Sequence, residues 1–267
     1  MNKIVLLTIG TFFILQGCGN LDNSTDGERT DNTSSLSKAE AFVRFNYGDS
    51  MDHMGTIPWF SEEDDAPQIG LRVCQESGTR SIRKIDDLIY ESTLNACIEK
   101  GMESTGKAKI SITKDGSFSI QFIRDTTLTN LENDKKITYY KGSYLDNIRT
   151  YNKEESKLIL NFKILFPDNV MYHSSHLTSY TTDNSEYLVS GEVYYQGESY
   201  IVDKAYTASR TPMRSDDDNN LLSGTEKYYN SKNEHITLKV TSKNTMEIAL
   251  DKDNDGINDL NKTITLR

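Results

Sequence analysis

Beyond Gly101 the apolar residues recur at every second position, and that period constrains the fold more than any other feature of the chain. Ile110 and Ile112 alternate with polar neighbours, Lys114-Asp115-Gly116 supplies a turn, and Phe118, Ile120 and Phe122 alternate back. In a strand successive side chains point to opposite faces, so each such run has one apolar and one wet face, and a tight turn between two of them makes a hairpin. The pattern returns at Leu158, Leu160, Phe162, Ile164 and Phe166, where Pro167 stops it. Leu188, Val193 and Tyr195 face Tyr200 and Val202 across Gln196-Gly197, and Ile236, Leu238 and Val240 face Met246, Ile248 and Leu250 across Ser242-Lys243-Asn244. Ile264 and Leu266 add a short closing strand. Strands joined by polar turns, without the strand-helix alternation of a parallel sheet, predict a mainly β chain, an antiparallel sandwich or barrel.

The N-terminus reads as an export signal. Lys3 supplies the positive charge and Ile4 to Leu15 the apolar run, which is shorter than the ~20 residues a spanning helix needs. It ends in Leu15-Gln16-Gly17-Cys18, a string that resembles the lipobox of bacterial lipoproteins. The resemblance implies a signal peptide over residues 1–17, acylation of Cys18 with chains such as palmitate, and attachment of the new N-terminus to a membrane of the bacterial cell envelope. Gly19, where Asp would resemble a retention signal for the inner membrane, favours the outer membrane. Residues 18–38 are dominated by Asn, Asp, Ser and Thr, with Leu21 and Leu36 their only large apolar side chains, and read as a flexible tether. Residues 39–267 are then expected to form a single β-rich domain.

One stretch of that domain departs from the two-residue period. Ile82, Ile85 and Ile89 keep helical spacing, Leu88, Leu94, Cys97 and Ile98 widen the stripe, Ser77 or Thr79 stands at its start and Gly101 at its end. A single helix over about 80–100 is expected to cover the sheet. The chain has three cysteines, and with Cys18 assigned to lipid the other two, Cys74 and Cys97, make a disulfide in an oxidising envelope. No CxxC and no adjacent His supports a metal at that pair.

Charge and composition exclude several classes of partner. A formal charge of −10 repels phosphates, which argues against nucleic acid and against an anionic bilayer surface. An apolar fraction of 36% excludes a polytopic membrane protein. G-x-S-x-G, G-x-G-x-x-G and Walker A strings are absent. His173 and His176 form H-x-x-H, but a Thr- and Ser-rich flank suggests a strand or loop, on which that spacing diverges. Met51-Asp52-His53-Met54 reads as a packing patch, and Glu62 to Asp65 and Asp216 to Asp218 as solvated loops.

One motif carries chemistry in its spacing. Asp251-Lys252-Asp253-Asn254-Asp255-Gly256-Ile257-Asn258-Asp259 spells D-x-D-x-D-G-x-x-D. Calcium takes six to eight oxygens, and carboxylates at alternate positions of a tight loop converge on one point while the glycine permits the turn. The string resembles the calcium loops of EF-hands, dockerins and thrombospondin type 3 repeats. That resemblance implies ligands from Asp251, Asp253, Asp255, the carbonyl of Ile257, and Asp259. Position 12 of the loop, residues 251–262, is Lys262 and not Glu, and the flanks read as strands, so the expectation is a calcium-clamped hairpin rather than a sensor. No catalytic residue is assigned. The leading functional expectation is a non-enzymatic envelope module that binds a protein or glycan, with exposed tyrosines and Trp59 as platforms. A small-molecule or lipid carrier built on a closed barrel is the alternative, and a hydrolase with dispersed residues a further one.

Overall fold

The computed structural model describes residues 32–45, 47, 68–114, 117–149, 155–182, 186–203, 213–215 and 221–266. The signal, the lipobox with Cys18, Met51 to Met54, Trp59 and the acidic runs 62–65 and 216–218 lie outside them. The described strands pair antiparallel, with a single α-helix, as the two-residue period predicts, and the sheet is not closed into a barrel. The described residues form two compact units. One comprises 68–180 and 193–196, the other 32–45, 47, 181–192 and 197–266.

The first unit is a meander. Strand β1 (Gly70–Val73) pairs with β2 (Ser77–Asp86), β2 with β3 (Ile89–Glu99), and β3 with β4 (Met102–Ile112). Strands β5 (Phe118–Phe122) and β6 (Thr126–Asn130) lie along β4 one after the other, in register Ile112↔Phe118 and Met102↔Asn130. Between them the Lys107 carbonyl accepts from both Ile123 N–H (3.0 Å) and Arg124 N–H (3.3 Å), so the chain bulges without losing its partner. Strands β7 (Lys136–Tyr139) and β8 (Tyr144–Arg149) repeat the manoeuvre against β6 and β5, and β9 (Glu155–Asn161) and β10 (Lys163–Leu165) against β8 and β7. Then β11 (Met171–Thr182) takes the other edge of β10. Inward positions carry Leu94, Ile110, Ile120, Leu128 and Ile164, and Phe122 stacks on Tyr139 at 5.1 Å with Phe162 edge-on to both.

The helix expected over about 80–100 is instead the hairpin β2–β3. Its isoleucine spacing straddles a turn: Leu88 takes φ 57°, Ile82 is buried and Ile85 is 49% exposed. The stretch is rich in β-branched Thr and Ile, which suit a pleated surface, and alternation within each arm outweighs the helical coincidence across them. Gly101, read as a helix stop, closes a two-residue hairpin turn with Lys100, at φ 71° and 51°. Cys74 and Cys97 do form the disulfide, with Cα atoms 5.4 Å apart. It joins the end of β1 to β3 past Gly78, whose φ of +78° and missing Cβ leave room for the Ala96 carbonyl.

The second unit holds the helix, α1 (Asn32–Arg44). It begins inside the stretch read as tether, and Ser35 is already buried, its hydroxyl donating to Glu234 at 3.2 Å. A polar N-terminal half concealed this, since only Ala39, Phe42 and Val43, at i, i+3 and i+4, carry the apolar stripe. Strands β12 (Glu186–Tyr195) and β13 (Glu198–Val202) are followed by β14 (Met213–Ser215), β15 (Leu221–Ser223), β16 (Thr225–Asn230), β17 (His235–Ser242), β18 (Thr245–Asp251) and β19 (Leu260–Thr265). The order β13–β16–β17–β18–β19 is fixed by registers such as Leu238↔Ile248 and Met246↔Ile264. Phe42 stacks on Tyr200 at 3.9 Å and meets Tyr228 edge-on.

Candidate metal site

The D-x-D-x-D-G loop joins β18 to β19, as its strand-like flanks predict. Asp251 ends β18, where the alternation of buried Met246 and Ile248 gives way to four consecutive buried residues, Ile248 to Asp251, and it is only 4% exposed. The loop then reverses through Asn254 at φ 59° and Gly256 at φ 88°, conformations that Asn and Gly adopt at little cost. Its main-chain donors are taken up by its own acids. Gly256 N–H donates to Asp251 Oδ2 (3.0 Å), Ile257 N–H to Asp255 Oδ1 (2.7 Å) and Lys252 N–H to Asp259 Oδ2 (2.7 Å), while Asp259 N–H closes on the Leu250 carbonyl (2.8 Å).

These bonds sort the five sequence-predicted ligands. Asp251, Asp253 and Asp259 each bring one carboxylate oxygen to within 4.8 Å of the others. Asp255 stands outside that group, its Oδ1 accepting from Ile257 N–H. Asp251 Oδ1 is buried and accepts no hydrogen bond from the protein. A charged oxygen taken out of water without a donor is costly, and a cation is the ligand that relieves it. An all-oxygen set with three negative charges fits a hard divalent cation and fits poorly a soft one. Two cationic candidates on the flanking strands do not fill that role. His235, opposite Asp251 in the β17–β18 register, is held below the ordinary imidazole range by burial and by Lys227, against the pull of Asp251 and Asp203. Lys262 pairs with Glu40 of α1 at 2.5 Å.

No family model, curated protein or solved structure matches this chain.

The other sequence candidates fall elsewhere. His173 is exposed on β11, a strand, where a three-residue spacing does not place two side chains on one face. Cys74 and Cys97 lie beside Glu99, but the disulfide removes their thiolates as ligands. Sequence reading missed the buried acids around α1. Tyr47 and Tyr228 both donate to Glu226 Oε2, Ser231 and Lys38 engage Glu198, and Asn230 donates to Glu234 at 2.6 Å. Their signal was available in β16, where Glu226 shares the inward parity of Tyr228 and Asn230.

Proposed function

We propose that the chain is a calcium-stabilised, non-enzymatic binding or assembly module, held to the bacterial cell envelope through an acylated Cys18. The observation that carries the calcium reading is the buried Oδ1 of Asp251, without a donor, at the meeting point of Asp251, Asp253 and Asp259. Bound there, calcium would be held by those three carboxylates, with water completing its shell. It would fix the exit of β18 to the entry of β19 and neutralise the mutual repulsion of the three carboxylates. With a Lys at position 12, the loop suits the millimolar calcium of an exterior compartment better than a signalling range. The lipobox string supports the anchor, and a sheet that is not closed into a barrel favours a binding module over a carrier.

The test is thermal unfolding of the full chain with and without millimolar calcium. Calcium at ten times its Kd contributes about 1.4 kcal/mol, a rise of several degrees. Asp253→Ala, at an exposed position, should remove the rise and leave the ion-free melting point almost unchanged. Asp251→Asn should remove it too while keeping an acceptor for Gly256. A rise that survives both substitutions sinks the site. For the anchor, Cys18→Ser should move the chain from the membrane to the soluble fraction, and continued membrane association would refute it.

A further inference from the structure

Among the described residues β1 pairs with β2 alone, in register Gly70↔Ile82, Leu71↔Ser81, Arg72↔Arg80 and Val73↔Thr79. The direction of its main-chain groups follows from the next bond along: Cys74 N–H donates to the Gly78 carbonyl at 3.1 Å, so Cys74 faces β2. These groups alternate sides along a strand. Arg72 and Gly70 therefore also face β2, and Ile69, Leu71 and Val73 direct theirs to the open edge. The same three residues place apolar side chains on one face, 61%, 72% and 78% exposed. Open edges in native proteins are ordinarily blunted by Lys, Pro or a bulge. Here the only charge from 69 to 73 is Arg72, on the opposite face.

We infer that the occupant of this edge is a second copy of the chain, β1 pairing antiparallel with β1 about a twofold axis at Leu71. In that register Leu71 faces Leu71 and Ile69 faces Val73. These are the residues whose main-chain groups point outward, so each facing pair exchanges both hydrogen bonds, and the apolar side chains form one cross-strand row. On the other face each Arg72 falls opposite Gly70, which has no side chain and nothing within 4 Å of its missing Cβ. Charge rejects the neighbouring register: an axis at Arg72 sets the two guanidinium groups directly opposite each other. The edge is thus self-complementary in the register about Leu71, and calcium has no part in it.

Sedimentation of the full chain in mild detergent, together with thiol crosslinking, tests this. The wild type should sediment as a dimer at tens of micromolar, and Leu71→Lys, which opposes two cations across the axis, as a monomer with an unchanged melting point. Leu71→Cys should give a covalent dimer on mild oxidation, because facing residues of such a pair have Cα atoms about 5.5 Å apart, within disulfide reach. Val73→Cys should give no more covalent dimer than the wild type, its two copies lying about 13 Å apart in this register. A monomeric wild type, a dimer that survives Leu71→Lys, or equal crosslinking through 71 and 73 overturns the proposal.

Discussion

The two units bury polar groups of different kinds. In the first they are mostly hydroxyls, Ser92, Ser104, Thr126, Ser143 and Ser174, with Arg80 beside Glu99. In the second they include carboxylates: Glu198, Glu226, Glu234 and Asp251 are each at most 9% exposed, and every buried acid among the described residues is there. A buried hydroxyl finds a neighbouring carbonyl at little cost, as Ser143 does at Lys163, and the unit is then held by apolar pairs and a covalent link. A buried carboxylate needs dedicated donors, and α1 with its continuation at Tyr47 brings several of them: Ser35, Lys38 and Tyr47. The first unit therefore keeps its ion pairs, such as Lys107 with Glu91, outside its buried core apart from Arg80 at Glu99, while the second depends on its helix and on its buried acids staying partnered.

Removing the helix's anchor should break that contrast most. Phe42 is fully buried between Tyr200 and Tyr228, and Phe42→Ala should cost about 3–5 kcal/mol. Hydrogen exchange should then show protection falling in β16, β17 and β18 while β3, β4 and β5 keep theirs. Equal loss in both sets would mean that the units do not answer separately to their own cores. Replacing both Cys74 and Cys97 by Ser is the converse experiment. The bridge spans 23 residues, for which chain entropy gives ~3 kcal/mol, and urea unfolding should show the loss in β2 and β3 with the second unit unchanged.

The same contrast explains what could be read from sequence. The hairpins β4–β5 and β17–β18 were legible as alternating apolar runs on either side of a polar turn, because each has a single apolar face, while the pairs Ile110↔Ile120 and Leu238↔Ile248 and the shift before Ser242 come from the structure. The β2–β3 hairpin was not, because Ile85 is apolar on the wet face and its spacing to Ile82 and Ile89 mimics a helical turn. The start of α1 was hidden for the opposite reason. Its first turns are polar because they serve buried acids, and a stripe that satisfies carboxylates looks like a tether in composition. In the loop from Asp251 to Asp259, spacing placed the five candidates but not which of the carboxylates converge. That depended on Asp255 being claimed by Ile257 N–H, a choice made by the turn itself.

The smallest expected effect sharpens the comparison at the helix's other contact. Burial alone would raise the Glu40 carboxyl, but Lys262 and Arg44 together hold it below the ordinary carboxylate range. Arg44 also donates to the Thr265 carbonyl at 3.1 Å, so one acid organises two cations over the outer edge of β19. A carboxyl lowered on folding stabilises fully above its unfolded value, ~4.3, and the contribution fades as pH falls through the folded value. Both cations are more than two-fifths exposed, so water and salt screen the cluster, and Glu40→Gln should cost only about 0.5–1 kcal/mol at neutral pH. Between pH 5 and about 3 the wild type should lose more melting temperature than Glu40→Gln. The gap should narrow in high salt, because the cluster lies at the surface while the buried acids of the same unit do not. Parallel acid profiles for the two proteins would remove Glu40 from the forces that hold α1 to β19.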